Sequence, residues 1–152
     1  MTAIRVTALA LPLDGRRVLV ETGTDEVKGE RFYRLIGGGI EFGETGEEAV
    51  CRELREELDA EVAEAEYLET LENIFVYRGE RGHEVCRIYR VTFADRSVYE
   101  REELDRHDRD PDDERTGWAD VERFLSGSSR LYPHGVPELL EREVARAARS
   151  RA

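Results

Sequence analysis

The sequence has 152 residues, of which 39% are hydrophobic and 38% are charged, a balance typical of a folded domain and not of a disordered chain. The net charge of −12 results from 35 acidic and 23 basic residues, which disfavours binding to nucleic-acid polymers and to anionic membranes. We therefore expect one domain over residues 1–152, without a nucleic-acid or membrane partner.

The cysteines and the N-terminus indicate the compartment. Cys51 and Cys86 form no CxxC pair and have no zinc-type spacing to histidine, so two reduced thiols are expected. Residues 1–13 lack the long apolar core of a signal peptide, and no segment reaches the length of a membrane span. These features predict a cytoplasmic protein.

The N-terminal part of the chain has the pattern of short strands. Asp14-Gly15 is a hairpin signal, and residues 22–31 are polar with two glycines, which predicts a loop. Three consecutive glycines, residues 37–39, follow the last of these strands. The predicted strands are residues 4–11, 17–21 and 32–36.

Residues 45–58 give the clearest helix signal. Thr45 and Glu48 have the spacing of a capping box. Val50, Leu54 and Leu58 recur at every fourth position, which predicts one buried stripe.

The C-terminal half predicts a long hairpin and further helices. Residues 67–77 and 85–93 read as its two strands, joined by a turn over residues 78–82. A late strand is expected to end at Trp118, and aromatic residues such as Trp118 and Phe32 near strand ends are more often core than base-stacking. Helices are predicted at residues 121–125 and 136–148. The whole pattern is mixed α/β without regular βαβ repeats.

Three glutamates share one side of the predicted helix. Glu53, Glu56 and Glu57 stand at i, i+3 and i+4, within an arc of about 100°. Carboxylates this close repel one another unless positive charge lies among them, and Arg52 is spaced for an ion pair with Glu56. Hard oxygen ligands of this kind suit Mg²⁺ or Mn²⁺. A solvated acidic face is the alternative interpretation of this spacing alone.

The glycine run permits close approach of the backbone to a ligand. It lacks the Gly-Lys-Ser/Thr of a P-loop, and Phe42 stands where a dinucleotide-binding fingerprint needs its third glycine. By itself the run is also compatible with a tight turn after a strand.

Taken together, the two segments resemble the signature of the Nudix hydrolases. Five residues separate Gly38 from Glu44, and seven more separate Glu44 from Arg52. From Arg52 onwards the chain then reads Arg-Glu-Leu-Arg-Glu-Glu, as the family pattern requires. Asp59 stands where the family has glycine, and Ala60 takes the last aliphatic position. Because the family glycine ends the helix, we expect Asp59 to adopt its left-handed conformation and to leave activity intact.

The resemblance implies a fold, an activity and a set of site residues. The implied fold is an α/β/α sandwich around a mixed β-sheet, as in MutT-like and ADP-ribose pyrophosphatase-like proteins. The implied activity is metal-dependent hydrolysis of a diphosphate linkage in a small nucleotide, with Mg²⁺ or Mn²⁺ as cofactor. The substrate would be a nucleotide sugar or an ADP-ribose-like nucleoside diphosphate derivative, or a nucleoside triphosphate. By resemblance, the metal ligands are Glu53, Glu56, Glu57 and the Gly38 carbonyl. Glu44 and Arg52 would hold the loop against the helix and so fix the geometry of these ligands.

Several alternatives stay open at this stage. Catalytic roles fall to Glu53, Glu56 and Glu57, with Glu53 or Glu56 as general base. Alternatively, the general base is an acid on a later loop, with Asp112, Asp113 and Glu114 as candidates. These three residues also have the pattern of a solvated acidic turn. Alternative functions are a dinucleoside polyphosphate hydrolase and a non-catalytic nucleotide-sensing module. Members of the family often form homodimers, so a homodimer is open to this chain.

Overall fold

The computed structural model describes residues 3–105 and 115–150. No helix in these ranges is long and apolar enough to cross a membrane. The described strands are β1 (Arg5–Asp14), β2 (Arg17–Asp25), β3 (Glu30–Arg34), β4 (Ile36–Gly39), β5 (Val62–Tyr77), β6 (Glu80–Phe93), β7 (Glu103–Leu104), β8 (Thr116–Asp120) and β9 (Leu131–Tyr132). The described helices are α1 (Gly46–Leu58), α2 (Ser97–Glu100), α3 (Glu122–Leu125) and α4 (Val136–Ser150).

The strands form a mixed sheet in the order β5-β6-β1-β2-β3-β9. β1 runs parallel to β6, and β3 runs parallel to β9, whereas the other pairs are antiparallel. Strand β1 changes partner along its length: Thr7 to Ala10 pair with β4, and Leu13 and Asp14 pair with β2. β1 therefore joins the β5–β6 hairpin to the β2–β3 hairpin.

Helices cover both faces of this sheet, which confirms the predicted α/β/α sandwich. On one face, Val50, Leu54 and Leu58 of α1 pack with Ala8 and Ala10 of β1 in one hydrophobic cluster. On the other face, α4 packs against the alternate residues of the same strand, in a second cluster that contains Leu11, Leu13, Val136, Leu139, Leu140 and Val144. Because side chains alternate along a strand, a strand covered on both faces reads as a nearly continuous apolar run.

Helix α1 begins and ends as its sequence predicts. Thr45 is the N-cap: its hydroxyl accepts the Glu48 N–H, and the Glu48 carboxylate accepts the Thr45 N–H, both at 3.1 Å. At the other end, Asp59 is left-handed at φ 54° and ψ 37°, and its N–H donates to the Arg55 carbonyl. The family glycine is thus replaced by an aspartate that keeps the helix-ending conformation.

Several element boundaries differ from the sequence-based expectation. Residues 22–31 are not one loop, because β2 continues to Asp25 and β3 begins at Glu30. Asp25 stabilises this tight connection by accepting the N–H groups of Val27 and Lys28. The short elements α2, β7 and β9 were not predicted, since two to four residues carry too little periodicity to detect.

Candidate active site

The glycine run forms strand β4, beside α1. A Cβ on Gly37 would lie 2.1 Å from the Ala8 carbonyl oxygen, and a Cβ on Gly38 would lie 2.4 Å from Glu53 Oε1. Glycine therefore leaves room for the β1 backbone at the first position, and a side chain at the second position would displace the Glu53 carboxylate. The missing side chains allow the Glu53 carboxylate to lie directly against the Gly38 backbone.

Arg52 joins the glycine strand, the connecting loop and the helix. Its guanidinium donates to both oxygens of Glu44, at 2.7 and 2.9 Å, and to the Gly39 carbonyl at 3.0 Å. It also donates to Glu53 Oε1 at 3.0 Å and to Glu56 Oε2 at 3.2 Å, which confirms the expected i, i+4 ion pair. One planar cation thus fixes the loop against the helix and offsets the repulsion among the acids.

This network shifts the protonation of both of its central groups. The two hydrogen bonds from Arg52, with the backbone N–H of Glu41, lower the pKa of Glu44 to about 2. The bonds to Glu44 raise the pKa of Arg52 further above its usual value. Glu44 is therefore ionised throughout the physiological pH range, which suits a bracing group better than a proton-transferring one.

The three helix glutamates occupy different surroundings. Glu57 is 8% exposed and lines a cleft together with Gly37 and Gly38. Glu53 and Glu56 are both held by Arg52. Among the described residues, no three carboxylate, imidazole or thiol side chains are gathered closely enough to form a metal-ligand set.

The cleft has a volume of about 1070 Å³, which is at the upper end for small-molecule sites. Most of its lining residues belong to β1, β4, β5 and β6, to the β2–β3 hairpin and to the segment from Tyr132 to His134. Besides the glycines and Glu57, its lining includes basic, acidic and aromatic side chains: Arg5, Arg34, Arg81, Arg130, Glu21, Glu30, Glu84, Phe32, Phe75, Tyr77, Tyr132 and His134.

A guanidinium stands beside the glycine strand. Arg5 Nη1 donates to Glu84 Oε2 at 3.2 Å, and Arg5 Nη2 would lie 3.4 Å from a Cβ on Gly39. The Arg5 side chain is 49% exposed, so its remaining donors are accessible. A positive group is therefore fixed at the acidic end of the cleft, where an anionic ligand needs one.

The opposite end of the cleft is closed by a contact between the two hairpins. The Asp25 carboxylate accepts the Arg78 N–H at 3.0 Å, and the rings of Phe32 and Tyr77 meet edge to face with centroids 5.9 Å apart. The bond from Arg78 is the main cause of a lowered Asp25 pKa, and the Val27 and Lys28 N–H groups lower it further. The aromatic wall continues through Tyr132, whose ring contacts Phe32 at 5.5 Å.

The structure places some sequence-predicted residues together and separates others. One connected region contains the predicted motif residues Gly38, Glu44, Arg52, Glu53, Glu56 and Glu57. The predicted loop acids Asp112, Asp113 and Glu114 lie outside the described residues. Phe32 is buried, as expected of core, and also lines the cleft. Trp118 stacks on Tyr99 and is not among the cleft residues.

Sequence reasoning missed Arg5 and Asn73 as cleft residues, and Glu84 lines the same cleft. Glu84 did carry a signal, because it continues the stripe of Cys86 and Ile88 that faces the α4 cluster. A charged residue that extends an apolar stripe beyond the core is a candidate for lining a cleft. Arg5 and Asn73 can be identified as cleft residues only when the register of the strands is known.

Comparison with known proteins identifies the family of this chain. The model of the NUDIX domain matches residues 2–138. Similar solved structures include a MutT NUDIX hydrolase from Burkholderia pseudomallei, with 24% identity, a TM-score of 0.61 and coverage of 91% of this chain and 97% of that one. Another is the ORF135 protein of E. coli, with 23% identity, a TM-score of 0.64 and coverage of 96% and 93%.

A MutT structure from work on Aliivibrio salmonicida and Vibrio cholerae is 18% identical, with a TM-score of 0.60 and coverage of 95% and 99%. At these identities the structures show a shared fold, while the family match spans most of the sequence. The chain therefore belongs to the Nudix hydrolase family and is a Nudix pyrophosphohydrolase.

Proposed function

We propose that this enzyme is a metal-dependent hydrolase that cleaves a diphosphate linkage in a nucleoside diphosphate derivative or a nucleoside triphosphate. The observation that carries the proposal is the position of Gly38: its backbone supports the Glu53 carboxylate and also lines a cleft with Glu57 and Arg5. Acidic groups and a fixed cation thus meet at one end of a cleft that is large enough for a nucleotide.

The donors present suit a hard divalent cation. Three carboxylates and a backbone carbonyl are oxygen donors of the kind that Mg²⁺ and Mn²⁺ prefer. The space that a side chain on Gly38 would fill is the space next to the Glu53 carboxylate. Glu53 and Glu56 turn towards Arg52, and in this proposal a bound cation would replace the guanidinium as their partner.

In this proposal Glu53, Glu56, Glu57 and the Gly38 carbonyl would hold the metal. A bound Mg²⁺ or Mn²⁺ would supply Lewis-acid polarisation of the phosphoryl oxygens and charge neutralisation. Arg5, kept in place by Glu84, binds a phosphoryl oxygen of the substrate. Arg52 and Glu44 fix the glycine strand against α1, because a displaced ligand costs catalysis even when it is present.

The reaction is attack of water on phosphorus with departure of a phosphate or nucleotide group. A carboxylate must accept the proton of that water. Glu57 lines the cleft, and Glu53 and Glu56, the candidates for this role, lie on the same helix beside Arg52. A motif carboxylate is thus the proposed proton acceptor, with Asp112, Asp113 and Glu114 as the loop alternative.

Four further properties of the protein remain predictions from its sequence. These are one domain over residues 1–152, a small-molecule nucleotide partner, a cytoplasmic location and a homodimer. The family match to residues 2–138 supports the first of them.

A substrate screen tests the proposal. Phosphate release, coupled to a phosphatase where needed, is measured with Mg²⁺ for ADP-ribose, nucleotide sugars, dinucleoside polyphosphates and nucleoside triphosphates. We expect turnover of a nucleoside diphosphate derivative or a nucleoside triphosphate, its loss with EDTA and its return with Mg²⁺ or Mn²⁺. Chelator-resistant turnover would contradict the metal requirement. Nucleotide binding without any turnover would favour a sensing module.

A further inference from the structure

A row of three polar residues crosses the cleft on neighbouring strands. Asn73 of β5 is the register partner of Glu84 of β6, and Glu84 is the partner of Arg5 of β1. Register partners point to the same face of a sheet, and all three residues line the cleft. Two strand spacings separate Asn73 from Arg5, which amounts to roughly 10 Å. Asn73 thus stands about one nucleoside length away from the phosphoryl-binding end.

The amide of Asn73 has a fixed orientation. Its Oδ1 accepts the backbone N–H of His134 at 3.3 Å, and the residue is 5% exposed. A backbone N–H can only donate, so the amide oxygen must lie on the His134 side and the NH₂ group on the other. The NH₂ group keeps its two hydrogen-bond donors, whereas the oxygen keeps only one of its two acceptor sites.

An excess of donors over acceptors distinguishes between classes of nucleobase. An asparagine that recognises adenine uses its oxygen and its nitrogen together, on the N6 amino group and N7. Because the His134 N–H already occupies one acceptor site of Oδ1 and fixes the direction of the amide, this paired contact is disfavoured for Asn73. A 6-oxopurine presents two acceptors, O6 and N7, and a 4-oxopyrimidine presents the acceptor O4. Adenine and cytosine instead place an amino donor at the corresponding position.

The surroundings of Asn73 suit a flat ring. The His134 ring meets Tyr132 edge to face at 5.0 Å, and Tyr132 meets Phe32 in the same way at 5.5 Å. The Tyr132 hydroxyl donates to Glu30 at 3.0 Å, which holds its ring in place. Preordered aromatic side chains bind a base at a low entropic cost.

We propose that Asn73 is a specificity-determining residue that selects nucleotides with an oxo group over those with an amino group at the same ring position. The inference rests on the proposed function, because it assigns the base of the nucleotide to this end of the cleft. It narrows the substrate class to nucleotides of 6-oxopurines and 4-oxopyrimidines.

Two nucleotide pairs test the proposal with minimal chemical change. ITP and ATP differ only in the 6-oxo and 6-amino groups and their ring protonation, and UTP and CTP differ likewise at position 4. We expect kcat/KM to favour ITP and UTP by about tenfold or more. The same pairs are compared as nucleotide sugars if triphosphates are poor substrates. Equal values within both pairs would overturn the proposal.

Two variants and one control assign the preference to Asn73. In Asn73→Asp, one oxygen can still accept from His134 while the other replaces the NH₂ donor, so we expect the preference to reverse or vanish. Asn73→Ala should abolish the preference without reversal. Glu72→Gln, the exposed neighbour on the opposite face of β5, should keep the wild-type ratios. An unchanged preference in folded Asn73→Ala would contradict the assignment.

Binding of the monophosphates separates this inference from the proposed function. IMP and AMP are titrated calorimetrically into the wild-type protein without metal, as are UMP and CMP. Preferred binding of IMP and UMP would support the inference even if no substrate were hydrolysed. Hydrolysis without any oxo preference, in turnover or binding, would leave the proposed function standing and overturn the inference alone.

Discussion

Apart from the contact of Arg5 with Glu84, the acidic end of the cleft is assembled from residues close in sequence, whereas the hairpin end is assembled from residues far apart. Arg52 contacts Glu44 and the Gly39 carbonyl at separations of 8 and 13 residues. At the hairpin end, Asp25 contacts Arg78 and Glu30 contacts Tyr132 at separations of 53 and 102 residues. Contacts between residues close in sequence can be recognised as a sequence motif, whereas contacts between distant residues depend on how the whole sheet is assembled. We therefore expect chemistry to depend on the first end, and selectivity and folding on the second.

The largest expected effect lies at the acidic end. Glu57→Gln should lower kcat more than about a hundredfold, beyond the loss typical of residues that only orient a ligand, because it removes a proposed metal ligand. The variant should remain folded by circular dichroism. Glu47→Gln, an exposed position on the same helix, is the matched control. Near-normal kcat in the folded variant would refute the ligand role.

Replacement of the bracing cation should have the next largest effect. Arg52→Lys keeps the charge but cannot donate to Glu44, Gly39 and Glu53 together, so we expect kcat/KM to fall about 10- to 100-fold. Arg55→Lys, whose guanidinium pairs with the exposed Glu61, serves as control and should change little. If both lysine variants behave alike, the bracing contacts do not matter for catalysis.

Arg5 should affect substrate binding more than turnover. Arg5→Gln removes the proposed phosphoryl contact, so we expect KM to rise about tenfold, as for loss of one charge-assisted hydrogen bond. Steady-state kinetics at saturating metal gives the separate values of kcat and KM. Arg16→Gln, in the exposed β1–β2 turn, is the control. A fall in kcat at constant KM would place Arg5 in the chemical step instead.

At the hairpin end, Asp25 should make stability depend on acid. Its pKa in the folded protein is below its ordinary value of 3.8, so its contribution is present above about pH 4 and is lost as pH falls through the lowered pKa. Asp25→Asn should therefore be less stable than wild type at neutral pH, with the difference shrinking below pH 4. Urea unfolding across pH measures this. Glu26→Gln, its exposed neighbour, should parallel wild type, and a constant gap for Asp25→Asn would contradict the linkage.

The smallest expected effect concerns the end of α1. Asp59→Gly relieves a left-handed residue and should raise the free energy of unfolding by up to about 1 kcal/mol. Activity should stay at the wild-type level, because the Asp59 N–H bonds to carbonyl groups in the last turn of α1 and this bond does not depend on the aspartate side chain. Chemical denaturation and kcat together check both statements. A loss of activity would show that the aspartate carboxylate has a further role.

The sequence was informative wherever its signal was local. The capping box of Thr45 and Glu48, the buried stripe of Val50, Leu54 and Leu58, and the ion pair between Arg52 and Glu56 follow from helical spacing. The nearly continuous apolar run of β1 likewise reflects its two covered faces. These features need no knowledge of the rest of the fold.

The remaining features depend on tertiary structure. The tight β2–β3 connection over residues 26–29 is stabilised by Asp25, whose second oxygen binds the distant Arg78 N–H. The meeting of Asn73 with Glu84 requires the β5–β6 register, which two bulges in β5 shift. His134 reaches Asn73 only after the chain has crossed from β8 to the start of α4. No local spacing encodes such contacts.

The most direct test of the metal-dependent active site is Mn²⁺ binding to the folded protein, measured from the free-ion signal in electron paramagnetic resonance. We expect the wild-type protein to bind Mn²⁺, and Glu53→Gln and Glu57→Gln each to weaken binding at least tenfold, with Glu47→Gln unchanged. Mn²⁺ binding of equal strength in all four proteins would contradict the assignment of the helix carboxylates as metal ligands.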